Sequence, residues 1–224
     1  MALDDVKLIK LLFAMPTERN LLKRSLTFLF IFFIISCGQT ENQSIKKVNT
    51  SMELYNVFDK DNHLQPPFEK ARFDTLHGWD FSWAILEPIN IAKGKDDEKL
   101  LAKRFSPGQK ALYFIWYLDA EVTNGGFIQF YWNNNRKYLP PIMDGLKLIS
   151  DTSMLDLVGK ADEEYLKHKE KFIKQRQIDD WQRLYDSFKN FNEFDSIYYA
   201  THNEMMELIE KYARQHSEEF VKLK

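Results

Sequence analysis

The stretch Glu121-Val122-Thr123-Asn124-Gly125-Gly126-Phe127-Ile128-Gln129-Phe130-Tyr131-Trp132-Asn133 places a helix break between two apolar helical segments. Upstream of it, Ser106 stands as an N-cap and Pro107 takes the first helical position, where a missing N–H costs nothing. From there Ala111, Ile115, Leu118 and Val122 recur at helical spacing, Leu112 with Trp116 forms a second face, and Tyr113 with Tyr117 a third. A helix that is apolar on nearly all sides is buried. At its end Thr123, Asn124, Gly125 and Gly126 interrupt the period, and Asn-Gly accepts the left-handed backbone common just past a helix. Phe127 to Trp132 then begins a new turn or two. A buried central helix over about 106–124, an Asn-Gly-Gly corner and a short aromatic helix form the frame of a single all-α, multi-helix domain.

Glu121 falls in the last turn of the first helix, where the macrodipole disfavours a carboxylate by roughly 0.3–1 kcal/mol. It needs a partner, and the unsatisfied N–H groups of the next helix, around Gly126 to Ile128, are the expected one. Gln129 is set among Phe127, Phe130, Tyr131 and Trp132 and is expected to bond inward, since an unpaired buried amide costs about 1–3 kcal/mol. Two readings of Glu121, Asn124 and Gln129 follow: a polar staple at a helix–helix corner, or the lining of a cleft that holds a ligand or a partner's side chain. The aromatic group Phe127, Phe130, Tyr131, Trp132 and Tyr138 reads first as core, with a recognition surface as the alternative.

The pattern Leu118-Asp119-Ala120-Glu121-Val122-x-Asn124-Gly125-Gly126-Phe127-x-Gln129-Phe130-x-x-Asn133 resembles the signature segment of the DNA mimic protein family and its C-terminal domain. The similarity runs over about residues 79–222 as a succession of helices, more loosely after Asn135. It implies an all-α domain and, for the family's named member, a dimer that imitates the charge of DNA to occupy a DNA-binding protein. A homodimer is therefore an open alternative here. No catalytic residues come with the resemblance.

Away from the corner, residues 53–76 read as irregular and 79–93 as a helix with Phe81, Ile85, Ile89 and Ala92 inward. A charged turn is expected over 94–98, and helices over 140–149, 154–175, 181–188 and 197–212. No strand alternation and no internal repeat occurs.

The N-terminal region decides location. Leu26 to Ser36 is an uncharged apolar run of eleven residues behind Lys23 and Arg24, too short for a membrane span of about 20 residues and suited to a signal-peptide core. Ile34-Ile35-Ser36-Cys37 looks like a bacterial lipobox, so Cys37, the sole cysteine, is the expected lipid-attachment site. Residues 1–36 are then a signal peptide, with Met15 as the more usual start, from which 1–14 would be left untranslated. Residues 37–52 form the lipidated cysteine and a polar tether spanning about 20 Å root-mean-square, and 53–224 the helical domain. The expected location is the bacterial envelope, anchored in the membrane and facing the periplasm or exterior.

Composition suits such a domain: the chain is 44% hydrophobic with 18 phenylalanines, enough for a core without disulfides. Five of its 31 basic and three of its 33 acidic residues lie in 1–36, which leaves 26 against 30. That balance is weak for a DNA mimic, because duplex DNA carries one charge per about 1.7 Å. Asp162-Glu163-Glu164, Asp179-Asp180, Glu193 with Asp195, and Glu204, Glu207 and Glu210 are the local acidic groups, and neighbouring lysines make them read as solvated helix faces. Without a basic stripe, nucleic-acid binding is not expected.

The five histidines, His63, His77, His168, His202 and His216, form no metal-binding spacing, and no phosphate loop or nucleophile elbow occurs. No metal, cofactor or catalytic residue is assigned, and an enzyme is unsupported. The leading expectation is a lipid-anchored module for an unknown protein partner, of inhibitor or immunity type. A hydrolase or small-ligand binder using the corner (Glu121, Asn124, Gly125, Gly126, Phe127, Gln129, Phe130 and Asn133) is the alternative. DNA mimicry stands third, since a protein outside the cytoplasm would not meet a transcription factor.

Overall fold

The Ser106 cap organises both ends of the domain. In the computed structural model, which describes residues 62–173 and 178–224, Ser106 Oγ accepts the Gln109 N–H at 2.9 Å and Gln109 Oε1 accepts the Ser106 N–H at 2.9 Å. This is a capping box at the start of the central helix. The Gln109 amide nitrogen also donates to Leu64 O at 2.6 Å and Phe220 O at 3.1 Å. One buried side chain thus ties segments that are far apart in sequence.

In chain order the elements are β1 (Pro67–Phe68), α1 (Lys70–Thr75), α2 (Gly78–Leu86) with a 3-10 turn (Glu87–Ile89), α3 (Lys95–Ala102), α4 (Pro107–Trp132), a 3-10 turn (Asn135–Tyr138), α5 (Leu139–Leu148), α6 (Thr152–Ile173), α7 (Ile178–Ser187), α8 (Asn190–Gln215), α9 (Ser217–Phe220) and β2 (Lys222–Leu223). The fold is all-α. β1 and β2 add one short parallel pairing, Pro67 opposite Lys222 and Phe68 opposite Leu223. Strands of two residues leave no alternation to read in a sequence. The segment expected to be irregular before residue 76 contains α1, and the expected charged turn at 94–98 is the first turn of α3, whose Asp96, Asp97 and Glu98 suit a helix N-terminus. The helix expected over 79–93 stops at Leu86 because Pro88 tightens the chain into the 3-10 turn.

Apolar faces of α2, α5, α6 and α8 close on α4. Leu112, Phe114, Ile115, Leu118 and Val122 have no solvent exposure, as expected for a helix apolar all round, and Phe81, Ile142, Val158 and Met205 meet them from the other helices. Phe127 and Phe130 are fully buried, and Tyr131 and Tyr138 nearly so, which makes that group core. Trp132 alone of the group is half-buried. α8 is also tied to the α1–α2 turn: Arg214 donates to Phe73 O and Leu76 O at 2.6 Å each and to Glu210 at 2.8 Å, and Glu210 accepts the Gly78 N–H.

Among the described residues no helix is long and apolar enough to cross a membrane. The signal-peptide core, Cys37 and the tether lie outside the described residues.

Candidate functional site

Inside α4 the backbone leaves helical geometry at Gly125 (φ −161°, ψ 31°) and Gly126 (φ 69°, ψ −179°). Only Gly126 has the positive φ that excludes an ordinary side chain, and a Cβ there would collide with Asp195. Gly125 has an extended φ, and its constraint is space, since a Cβ would collide with the Gln129 amide. The two glycines answer two different neighbours on opposite sides of the break.

On the first side Glu121 gathers side-chain amides. Its Oε2 accepts from Gln129 Nε2 at 2.9 Å and Asn133 Nδ2 at 2.8 Å, and its Oε1 accepts from Asn135 Nδ2 at 2.8 Å. Asn124 Nδ2 closes the group by donating to Gln129 Oε1 at 2.8 Å. Three donors fill most of the roughly four acceptor positions of a carboxylate. Burial nevertheless outweighs them and raises the Glu121 pKa, with the bonds from Gln129, Asn133 and Asn135 acting in the opposite direction. The corner residues named from the sequence thus do come together, with Asn135 added.

The expected partner of Glu121 was different. The N–H groups opening the second arm do not meet it: the Phe127 N–H donates to Asp195 Oδ1 on α8 at 2.8 Å. The break turns that N–H toward α8, so a carboxylate from another helix takes the anion position at the new N-terminus. Two tyrosines complete this side. Tyr199 donates to Val122 O at 3.0 Å, and Tyr185 of α7 donates to Gly125 O. Val122 O, Gly125 O and the Phe127 N–H are therefore all satisfied from the α7–α8 hairpin. Asp195 has its pKa raised to about 6 by burial, partly opposed by the bond from Phe127.

One turn earlier the nearly buried Asp119 faces α8. Its Oδ1 accepts from Tyr198 OH at 3.2 Å and from His202 Nδ1 at 3.0 Å. A carboxylate only accepts here, so the imidazole proton sits on Nδ1. The His202 ring is stacked on Tyr198, centroids 5.7 Å apart, and lies 5.7 Å from the Trp79 indole, whose Nε1 donates to Asn203 Oδ1 at 2.9 Å.

A family model described as DMP19-like protein matches residues 103–216, half of the chain. The chain belongs to the DMP19-like family. No curated protein and no solved structure matches it. The match covers α4 to α8, so the break, the Glu121 amide group, the α7–α8 clamp and the Asp119–His202 pair all belong to the DMP19-like domain, whereas α1 and α2 precede it.

Chemically, the carboxylate and amides of the corner of the DMP19-like domain bond to one another, with Asn124 and Asn133 at the exposed rim. Two surface hollows among the described residues lie elsewhere, one beside His77, Glu210 and Arg214 and the other beside Glu164, His168 and Phe188. Among the described residues no group of three or more metal-ligating side chains assembles. Asp119, Asp195, Tyr185, Tyr199 and His202 were not singled out together in the sequence. One signal pointed to them: an aspartate in a helix otherwise apolar on all sides must find donors across the core, and the tyrosines and histidine of α8 were the nearest supply.

The acidic groups separate once they are placed in the fold. Asp162 pairs with Arg136 through two bonds of 2.7 and 2.9 Å, Glu164 accepts from Lys167 and Asn190, Asp195 is buried and Glu210 is held by Arg214. What remains at the surface follows a pattern missed in the linear reading. Phe73–Ala92, Ala111–Asn135 and Asn190–Glu210 contain no lysine or arginine at all, while holding ten carboxylates. These stretches build α2, α4 and most of α8, which pack on one another. Asp80, Glu87, Glu193, Glu204 and Glu207 are exposed on them.

Proposed function

We propose that this chain is a lipid-anchored envelope protein whose DMP19-like domain binds a basic protein partner, as an inhibitor or immunity-type factor. The observation that carries the reading is the lysine- and arginine-free stretch of exposed carboxylates on α2, its 3-10 turn and α8 as far as Glu210, in a chain whose formal net charge is only −2. α6, by contrast, mixes Lys160, Lys167, Lys169 and Lys171 with five carboxylates, and on α8 the first bases, Lys211 and Arg214, lie beyond the base-free stretch. Segregated charge of this kind steers a partner of opposite sign and rejects like-charged ones. The anchor rests on the lipobox ending at Cys37.

Family membership makes DNA mimicry the second reading, and charge density weighs against its literal form. Residues 190–210 of α8 span about 30 Å at the helical rise, a length over which a duplex carries about 18 charges. Only Glu193, Glu204 and Glu207 are exposed there, with Ile197, Tyr199 and Ala200 between them. A surface of mixed carboxylates and apolar groups suits a protein partner better than a phosphate lattice does.

The test is affinity capture from detergent-solubilised membranes of the native host, comparing the wild type with a Glu193→Lys, Glu204→Lys, Glu207→Lys variant of equal thermal stability. A basic protein retained stoichiometrically by the wild type and lost from the variant is the expected result. Recovery of no partner, or of one indifferent to the three reversals, overturns the reading.

A further inference from the structure

Three tryptophans lie within the base-free surface. Trp79 packs on Trp116 with centroids 5.4 Å apart at 70°, and Trp83 packs on Trp116 at 5.3 Å and 37°, so the indole of α4 joins the two from α2. Each is half-buried, leaving part of its ring in solvent. His202 and Asn203 hold the Trp79 end.

The chain supplies cations to its other aromatic rings. Arg72 lies over Phe68, Arg136 over Tyr165, Lys137 over Tyr138, Lys171 over Phe188, and Arg214 over both Phe73 and Phe81, at 4.3–5.8 Å from the ring centres. Among the described residues none of Trp79, Trp83 and Trp116 has such a cation, although indole is the strongest π-donor of the aromatic side chains. The reason is in the sequence, because the three stretches that build this surface lack lysine and arginine. Carboxylates stand at its edge instead. Trp83 has Asp80 three residues before it and Glu87 four residues after it, both exposed and within reach on the same helix side. Asn203, which holds Trp79, has Glu207 one turn along α8.

We propose that the Trp79–Trp116–Trp83 cluster is the seat of an arginine side chain from the basic partner, which makes the cluster the anchor of the interaction surface. This rests on the reading of the acidic face as a binding surface and adds where on it the partner is held and by which residue type. An arginine fits better than a lysine for two reasons. Its planar guanidinium stacks on indole while its N–H groups point outward in the guanidinium's own plane, parallel to the ring, and those donors can then meet carboxylates at the edge, here Asp80 and Glu87. His202, fixed through Nδ1 to Asp119, holds the Trp79 end of the cluster in place. α2 lies outside the residues matched by the family model, so two of the three indoles precede the matched region.

The test uses the full-length chain and two synthetic peptides, one of alternating glycine and arginine and one of alternating glycine and lysine, of equal length and charge. Binding is followed at fixed salt by indole fluorescence and independently by calorimetry, on the wild type, Trp83→Leu, and Glu87→Lys with Glu207→Lys, each checked for an unchanged melting temperature. The expected result is an arginine peptide that binds about fivefold or more tightly than its lysine twin, a preference abolished by Trp83→Leu, and weaker binding of both peptides to the charge-reversed variant. Equal affinity for the two peptides, or a preference that survives Trp83→Leu, overturns the arginine seat while leaving the acidic surface standing. Loss of the seat by Trp83→Leu without any effect of charge reversal, or no binding of either peptide, overturns the acidic-surface reading itself.

Discussion

Asp195 shows how a single buried carboxylate writes itself into the stability of the domain. It accepts the Phe127 N–H at 2.8 Å, and burial raises its pKa from the usual 3.8 to about 6. Between about pH 4 and 6 the folded chain then holds a proton that the unfolded chain has released, so this group's contribution to stability falls as pH rises through that window and is unfavourable at pH 7. Glu121 shifts in the same direction, whereas Glu164 and Glu210, held by Lys167 and Arg214 among others, shift downward and lose their contribution as pH falls. A plain melting profile mixes these signs. The difference between wild type and Asp195→Asn does not, because the other groups titrate alike in both. The melting temperature of the asparagine variant relative to wild type is expected to be higher at pH 7 than at pH 5, as the wild type alone gains on acidification. A difference independent of pH would mean that Asp195 ionises as freely in the folded chain as in the unfolded one.

At the scale of elements, the break in α4 and the α7–α8 hairpin are one device. Val122 O, Gly125 O and the Phe127 N–H are all satisfied from that hairpin, and Gly126 leaves the space that Asp195 occupies. Gly126→Ala is expected to be destabilising by more than the roughly 1–2 kcal/mol of a left-handed alanine, because the added methyl also displaces the carboxylate. Combining it with Asp195→Ala in a double-mutant cycle separates the two terms, and denaturant melts should show the pair costing less than the sum of the singles. Strict additivity would show that the glycine is needed for its backbone angle alone. The helices and the break were legible in the sequence for local reasons. Ser106, Pro107 and Gln109 stand next to one another, and Asn124-Gly125-Gly126 stops a period that had run from Ala111 to Val122. The partner of Glu121 was not legible, because the choice between Gln129, Asn133 and Asn135 on one side and the Phe127 N–H on the other depends on which way the second arm turns. That direction is set by α8, which is more than sixty residues away in the chain. α1 and the β1–β2 pair escaped for a related reason: six and two residues carry too little periodicity to be seen, and what fixes them is contact with the C-terminal end, such as Lys70 N–H to Lys224 O at 3.1 Å.

For the whole molecule the arrangement of charge matters more than its sum. A net charge of −2 predicts almost no long-range field, yet Phe73–Ala92, Ala111–Asn135 and Asn190–Glu210 hold ten carboxylates and no lysine or arginine, so the surface exposed by α2 and by α8 up to Glu210 is locally acidic. The described chain begins at the opposite end of α8 from Glu193. Leu64 bonds to Arg104 and Gln109, and β1 pairs with β2 just beyond α9, so the chain enters the domain where α8 ends. Glu193 lies 22 residues before Gln215, about 33 Å along the helix, so that end of the acidic stretch is remote from the point of entry, whereas Glu207 and α2 lie nearer to it. Every carboxylate of the proposed surface lies within the folded domain, from Asp80 onward, so removing an anchor at Cys37 should change location and leave that surface intact. Cys37→Ser is accordingly expected to move the protein from the membrane pellet to the soluble fraction of the native host, and to leave the melting temperature and the affinity for a basic peptide within error of the wild type. A serine variant that still sediments with membranes after high-salt washing would show that something other than a lipid on Cys37 holds it there. One that dissolves but loses affinity would show that the segment before residue 62 takes part in binding.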